Sequence, residues 1–285
     1  MNQNPPRILL TRTPRVAAQL IDELIGELGE NSAQIACVPV REAELVAGEL
    51  HNSALSTLES LANGVYEAVT FTSANGVRAF NRLCFDLPAQ LEPSEVLGST
   101  HLAAVGAATA RELEKLGVSV ALVPEVQDAR HMVEQWKVEH LGSRVLCVQG
   151  ANAKDTLSRG LAEKGCSVQV ATVYRMSDYP APAPLDSGHK TYRGLEPLSL
   201  ETALASTYSD EPEILVATAP SFLSTLHAAW QAHPSTFARD FPAVVAMGAS
   251  TAEQAEYLNL SYRVAPSPAP HDLAQAALSF LTSPQ

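Results

Sequence analysis

Six short segments follow apolar, strand-like runs and are built from glycine, hydroxyl and other small or polar residues. They lie at residues 11–12, 72–75, 106–109, 149–152, 218–221 and 248–251. Each precedes a helical pattern and therefore offers the free backbone N–H groups of a helix start, which bind small anions. The alternative is that each Ser or Thr only caps its helix. Because six such segments recur and none is a hairpin turn, the pattern favours a ligand site at the carboxyl ends of the strands.

One titratable side chain, Tyr174, stands out because it lies near the end of the apolar run 167–175, next to Arg175. Its alternative role is that of a half-buried strand aromatic with its hydroxyl at the surface. The sequence contains no HExxH or GxSxG motif, and its eight histidines lack metal-ligand spacing. These absences favour a reaction that needs binding, orientation and one proton donor.

The composition predicts a globular cytoplasmic protein of two domains. The 285 residues exceed what one compact core holds, and 46% of them are hydrophobic while 18% are charged. No apolar run approaches a membrane span of about 18 residues, and the N-terminus lacks a secretion signal. The four cysteines show no ligand spacing, which indicates reduced, buried thiols. A net charge of −12 disfavours nucleic acid as a partner.

Apolar strand patterns alternate with helical patterns along the chain, which predicts an α/β fold with parallel sheets. The predicted strands are 7–11, 34–38, 68–72, 101–105, 119–123, 144–148, 167–173, 213–218, 243–247 and 262–265. The predicted helices are 14–28, 75–83, 107–116, 129–140, 153–164, 220–231, 250–258 and 271–281. Near-continuous apolar strands indicate sheets that are covered by helices on both faces. Neither GxGxxG nor GxxxxGK[ST] occurs, so dinucleotide and P-loop sites have no support.

Two internal matches predict two similar lobes with a cleft between them. Residues 104–124 resemble 246–266, and residues 8–40 more weakly resemble 144–176. The order of the four segments fits tandem lobes with a boundary near residue 140. It equally fits an inserted lobe with crossings near residues 39 and 174, and periodicity does not choose between these.

An ordered set of motifs over nearly the whole length resembles the uroporphyrinogen-III synthase family: ILLTRT, VTFTSANGV, AVGAATA, ATVYR and AMGASTA with HDLAQAAL. The resemblance implies an α/β fold of two similar lobes, each a parallel sheet flanked by helices, joined by a two-stranded hinge. One lobe would hold residues 1–38 and 176–285, and the other, inserted, would hold 41–172. Residues 39–40 and 173–175 would be the hinge connectors.

The resemblance also implies a reaction without a cofactor or metal. Hydroxymethylbilane, a linear polycarboxylate tetrapyrrole, loses water at its hydroxymethyl end to give an azafulvene. The far ring then attacks through its substituted carbon to form a spiro intermediate, and fragmentation and reclosure invert that ring to give uroporphyrinogen III. The protein would act as a monomer, without nucleic acid or membrane. The alternative hypothesis is a two-lobed ligand-binding homologue that has no activity.

The resemblance assigns roles to residues of the six segments and to Tyr174. Tyr174 matches the family tyrosine that assists departure of the hydroxyl, and a phenol stays protonated at neutral pH and can donate. Backbone amides at helix starts and a few arginines would hold the carboxylates. With Gly150 of the fourth segment added, the expected substrate-binding residues are Thr11, Arg12, Ser73, Asn75, Gly106, Thr109, Gly150, Ser221, Gly248, Ser250 and Thr251.

Two features depart from the family pattern. Ala219 stands where the family has a serine after threonine, and Ser221 is expected to supply the helix cap instead. The segment 177–212 is longer than the resemblance requires and begins with a stretch rich in Pro, Gly and Ser, which predicts a loop or linker.

Overall fold

A computed structural model describes residues 6–29, 33–137, 142–186, 188, 190–205, 213–233 and 240–282. Backbone contacts divide the chain into a first unit, Met1–Arg41 with Gly188–Gln285, and a second unit, Glu42–Ser187. Among the helices of these described ranges, none has the length and apolar character to cross a membrane.

Strands and helices alternate through most of both units, as predicted. In chain order the elements are β1 (Arg7–Leu10), α1 (Ala18–Leu28), β2 (Gln34–Cys37), β3 (Arg41–Leu45), α2 (Glu49–Ala62), β4 (Ala68–Phe71), α3 (Ala74–Asp86), α4 (Pro93–Leu97), β5 (His101–Ala104), α5 (Ala107–Lys115), α6 (Ala129–Gln135), β6 (Arg144–Gly150), α7 (Thr156–Glu163), β7 (Ser167–Asp178), α8 (Leu200–Ala205), β8 (Glu213–Ala217), α9 (Pro220–Ala232), β9 (Ala243–Ala246), α10 (Ala249–Tyr257), β10 (Tyr262–Val264) and α11 (Pro270–Thr282).

The first unit contains a five-stranded sheet in the order β10–β9–β8–β1–β2, in which every registered pair is parallel. Alternate residues of β1, which lies between β8 and β2, face opposite sides of this sheet. Ile8 and Leu10 pack with Ile21 and Leu24 of α1 in one core cluster. Leu9 is buried as well, which explains why β1 is apolar along its whole length.

The second unit contains a five-stranded sheet in the order β3–β7–β6–β4–β5, with parallel pairing from β7 through β5. Phe71 of β4 and Phe80 of α3 meet edge to face, with ring centroids 5.3 Å apart, inside the larger core cluster. Cys147 of β6 lies in a separate cluster with Met132 of α6 and Leu161 of α7. Helices therefore pack on both faces, and the predicted α/β class with parallel sheets is confirmed.

The internal sequence matches occupy equivalent places in the two sheets. The strands β9–β8–β1–β2 of the first unit correspond in order to β5–β4–β6–β7 of the second. The pair β1–β2 matches β6–β7, and β8–β9 matches β4–β5, as the sequence repeats suggest. The two sheets therefore share one strand order although the chain enters them at different strands.

Several elements differ from the predictions. The sequence patterns missed β3, α2 and α4. The predicted strand 119–123 contributes one bridged pair, Leu122 with Ala103. The backbone hydrogen bonds that join this segment to β5 are accepted by the carbonyls of Leu102 and Leu122. The predicted helix over 129–140 ends at Gln135, and residues 138–140 lie outside the described part of the chain.

The second crossing between the units lies later than the predicted connector 173–175. Those three residues lie inside β7, which continues to Asp178 beside β3. After β7 the chain remains hydrogen-bonded to β3. Ala183 N–H donates to Glu44 Oε2, and Leu185 N–H donates to the carbonyl of Ala43. Residues up to Ser187 therefore belong to the second unit. The two-stranded hinge stays a prediction.

A buried carboxylate, Glu44 of β3, holds this segment in place. Its Oε1 accepts hydrogen bonds from Ser177 Oγ at 2.5 Å and from Arg175 Nε at 2.6 Å. The bond from Ser177, and then those from Arg175 and Ala183, hold the pKa of Glu44 below its usual 4.5 against the opposing effect of desolvation. Glu44 therefore stabilises the fold at pH values above the pKa of an unfolded glutamate. This stabilisation is lost as the pH falls through the lowered pKa of Glu44 in the folded protein.

None of the four cysteines, all of which lie in the described residues, forms a disulfide, and all four are buried, so the thiols should be unreactive until the protein unfolds. Burial raises the pKa of Cys37 and of Cys84 to about 12, and that of Cys147 to about 11. The thiolate is the nucleophile, and these three thiols stay protonated at pH 8. We expect Ellman's reagent to label none of these three at pH 8, and to label all four cysteines in guanidinium chloride. Rapid labelling of the folded protein would contradict the assigned burial.

Candidate active site

Ser73 and Tyr174 meet at the start of α3. The chain leaves β4 after Phe71, and Ser73 takes the N-cap position with an extended backbone, φ −158° and ψ 155°. The Gly76 N–H donates to Ser73 Oγ at 3.0 Å, the usual capping bond. Ser73 Oγ in turn donates to the hydroxyl oxygen of Tyr174 at 3.0 Å. A half-buried tyrosine hydroxyl is thus fixed at a helix N-terminus.

A register shift between β6 and β7 brings Gly150 under the ring of Tyr174. Gln149 is paired with Thr172, whereas Gly150 is paired with Tyr174, so one residue of β7 is bulged out. A Cβ atom at Gly150 would lie 2.7 Å from Tyr174 Cζ, 2.9 Å from Cε1 and 3.0 Å from the hydroxyl oxygen. Glycine is therefore required for this ring position. The structure thus brings together Ser73, Gly150 and Tyr174, three of the residues predicted from the sequence.

Asn75 follows in the same loop and is bound to its own helix. Its Oδ1 accepts from Arg78 Nη1 at 3.2 Å, and Arg78 Nη2 donates to Glu112 of α5 at 3.0 Å. Arg78 therefore links the start of α3 to the middle of α5 in the second unit.

Gly106 and Thr109 lie at the start of α5, after β5. Gly106 takes the N-cap position in extended conformation, and Thr109 is buried, with 4% of its surface exposed. The first helical amide, Ala107 N–H, donates to Oε1 of Gln127 at 2.9 Å. This side chain was missed from the sequence, because it reaches the helix start from a loop 20 residues away.

The carboxyl ends of β1 and β8 form a polar group in the first unit. Thr11 Oγ1 lies 3.2 Å from both the Val216 carbonyl and Thr218 Oγ1, and the Nε of Arg12 donates to Thr218 Oγ1 at 3.1 Å. The Arg12 guanidinium also lies 5.7 Å from the ring centroid of Phe222. Thr11, Arg12 and Thr218 line a cavity of about 230 Å³. Thr218 becomes recognisable as a site residue only through the pairing of β1 with β8, which places Leu10 beside Val216.

The second copy of the glycine–threonine motif opens α10. Gly248 takes the N-cap position with φ −169°, and a Cβ there would meet nothing within 4 Å. Ser250 is exposed and Thr251 is buried. The start of α10 is thus open around Gly248, whereas Gln127 lies 3.0 Å from the corresponding position of Gly106.

Ser221 does not take the capping position predicted for it. Helix α9 begins at Pro220, its N-cap residue is Ala219, and Ala219 makes no side-chain cap hydrogen bond. Ser221 is exposed on the first turn, and its carbonyl accepts from Thr225 Oγ1 at 2.9 Å. Proline at the first helical position lacks an N–H, so one donor that a cap would satisfy is absent.

Comparison with known proteins places these features in a family. The profile of the family described as Uroporphyrinogen-III synthase HemD matches residues 22–275. A uroporphyrinogen-III synthase of Chlorobaculum parvum is 33% identical over 112 residues, which span 38% of this chain and 44% of that relative.

Two solved structures have a similar fold over nearly their whole lengths. One is a mutant uroporphyrinogen III synthase of Thermus thermophilus, with a TM-score of 0.57 and 19% identity, covering 97% of this chain and 98% of that one. The other is the uroporphyrinogen-III synthetase of Helicobacter pylori, with a TM-score of 0.58 and 17% identity, covering 96% and 99%. Together with a family profile that matches most of its length, these similarities show that the chain belongs to the uroporphyrinogen-III synthase family.

Proposed function

We propose that this protein cyclises hydroxymethylbilane to uroporphyrinogen III, with loss of water and inversion of the terminal ring. Family membership supports the reaction. The observation that carries the proposal is the fixed hydroxyl of Tyr174, which receives a hydrogen bond from Ser73 at the start of α3. This supplies one oriented proton donor, which is what departure of a hydroxide-like leaving group requires.

In the proposed first step, Tyr174 donates its proton to the hydroxymethyl oxygen of the substrate while the C–O bond breaks. Water leaves, and the pyrrole nitrogen that pushes out the leaving group passes its proton to solvent to give the azafulvene. When the ring carbon attacks, that nitrogen takes a proton back from solvent. After ring closure the macrocycle loses a proton from carbon, and this proton can restore the phenol. Proton transfer by a positioned side chain contributes about 10²- to 10⁴-fold in rate.

The helix starts are the proposed binding groups for the carboxylates of the substrate. The N-termini of α3, α5 and α10 carry first-turn amides that have no partner within their helix, and the positive end of the helix dipole. The hydrogen bond from Ala107 N–H to Gln127 Oε1 supports this role, because the first amide of α5 donates to this oxygen as it would to a carboxylate oxygen of the substrate. Arg12 adds a guanidinium at the end of β1. Local groups of this kind allow a protein of net charge −12 to bind a polyanion.

We further propose that the protein works as a cytoplasmic monomer and does not bind nucleic acid. Four buried cysteines that form no disulfide within the described residues support a reducing compartment. The net charge of −12 disfavours a phosphate backbone as partner.

The test is conversion of hydroxymethylbilane by purified protein without added metal or nucleotide. The products are oxidised to porphyrins, and the type I and type III isomers are separated by chromatography. We expect the type III isomer, whereas heat-denatured protein should leave only the type I isomer that forms spontaneously. Type I alone from native protein, accompanied by saturable substrate binding, would instead support the non-catalytic homologue.

A further inference from the structure

Ser73 Oγ takes part in two hydrogen bonds, as the acceptor in one and as the donor in the other. A backbone N–H can only donate, so Ser73 Oγ is the acceptor in its 3.0 Å bond with Gly76. A serine hydroxyl has one hydrogen, and this hydrogen points to the oxygen of Tyr174, also at 3.0 Å. The oxygen of Tyr174 is therefore an acceptor towards Ser73, and its own hydrogen is available to another group.

From this arrangement we propose that Ser73 is a positioning residue that orients the Tyr174 proton towards the substrate, and is not itself a substrate ligand. This inference rests on the proposed function and deepens it. The relay runs in one direction, from the Gly76 amide through the Ser73 hydroxyl to the Tyr174 hydroxyl. Aligned hydrogen bonds of this kind polarise one another.

The relay begins at the positive end of a long helix. Helix α3 spans 13 residues, and the amide of Gly76 is one of the first-turn donors that have no partner within the helix. When Tyr174 gives up its proton, negative charge develops on an oxygen that already accepts the Ser73 hydrogen. Stabilisation that increases as charge develops acts on the transition state and therefore on kcat.

The surroundings hold the tyrosine ring in register with Ser73. Gly150 lies against the ring, with its missing Cβ only 2.7 Å from Tyr174 Cζ. The missing Cβ of Gly76 would lie 3.4 Å from Ser73 Oγ and 3.9 Å from Tyr174 Cε1. The neighbouring cation, Arg175, is bound to the buried carboxylate of Glu44 at 2.6 Å. Ser73 is thus the side chain that hydrogen-bonds the phenol oxygen.

Three substitutions separate the capping role of Ser73 from its donor role. Ser73→Ala removes both, so it should lower kcat by roughly 10- to 100-fold with little change in KM, and should also lower Tm. Ser73→Asp keeps the helix cap and Tm, but its carboxylate accepts the Tyr174 proton instead of donating, so kcat should fall at least as far. Ser73→Thr keeps the hydroxyl and should restore most of the turnover that alanine loses. A raised KM with unchanged kcat in Ser73→Ala would show a substrate ligand and overturn the proposal.

A double-mutant cycle with Tyr174→Phe gives the second readout. Because Ser73 acts through Tyr174, the Ser73→Ala, Tyr174→Phe double variant should turn over no more slowly than Tyr174→Phe alone. Multiplying losses would overturn the proposal while leaving the proposed function intact. Wild-type protein that forms no type III isomer would refute the proposed function itself, and the role of Ser73 with it.

Discussion

Replacing Gly150 by alanine is expected to lower kcat by roughly 10²- to 10⁴-fold, the contribution of one proton-transfer group. The added methyl group would lie 2.7 Å from Tyr174 Cζ and 3.0 Å from its hydroxyl oxygen, closer than atoms pack. The ring must therefore move, and its bond to Ser73 breaks with it. A displacement of about 1 Å from the productive geometry can cost on the order of 10²-fold in rate.

The measurement is steady-state formation of the type III isomer, alongside a thermal unfolding curve. Gly26→Ala in α1 is the matched control, because a Cβ there meets nothing within 4 Å and its activity should not change. Adding Gly150→Ala to Tyr174→Phe should cost no further activity, since both act on the same hydroxyl. Full activity in a stably folded Gly150→Ala variant would show that the ring position is irrelevant to turnover.

Loss of the Glu213 carboxylate is expected to destabilise the first unit by about 3–5 kcal/mol. Arg7 and Glu213 are register partners at the starts of β1 and β8, and Arg7 Nη1 donates to Glu213 Oε1 at 3.1 Å. The side chains are only 3% and 11% exposed. Glu213→Ala therefore removes this carboxylate from a buried guanidinium, whereas Glu213→Gln keeps a hydrogen-bond acceptor and should cost less.

Urea unfolding measures this effect through tryptophan fluorescence. Of the two tryptophans, Trp230 is buried in the first unit and Trp136 in the second. A Trp136→Phe background therefore makes Trp230 the reporter of the first unit. Glu23→Ala, which breaks the exposed pair with His271 in the same unit, is the control and should leave the curve nearly unchanged. Equal midpoints for the alanine variants at 213 and 23 would contradict a buried ion pair.

Much of the fold could be predicted because strands buried on both faces are apolar throughout. β4 and β8 belong to this class. β3 was missed because three of the five residues of its sequence, REAEL, are charged, so it lacks the apolar run that marked the other strands. The signal for α2 was present, since Ala54, Leu58 and Leu61 repeat at helical spacing and are buried on one face.

The site was predictable as a set of loops but not as contacts. The position of Gly150 after an apolar strand marked it as a candidate. Its contact with Tyr174 depends on a one-residue bulge, and a bulge changes which residues face each other without leaving a sequence pattern. Gln127 and Thr218 reach their partners through tertiary packing, so local spacing carried no information about them.

The interrupted course of the first unit has a consequence for biosynthesis. β1 pairs with β8 across a sequence separation of 206 residues, whereas Glu42–Ser187 is one continuous stretch. At about 5–20 residues per second, a ribosome needs roughly 10–40 s to add the strand that β1 requires. The second unit can fold in that interval, whereas β1, with the sequence RILL, has no β8 to pair with until β8 has been synthesised. In the nascent chain, it is this early strand that most needs protection from aggregation.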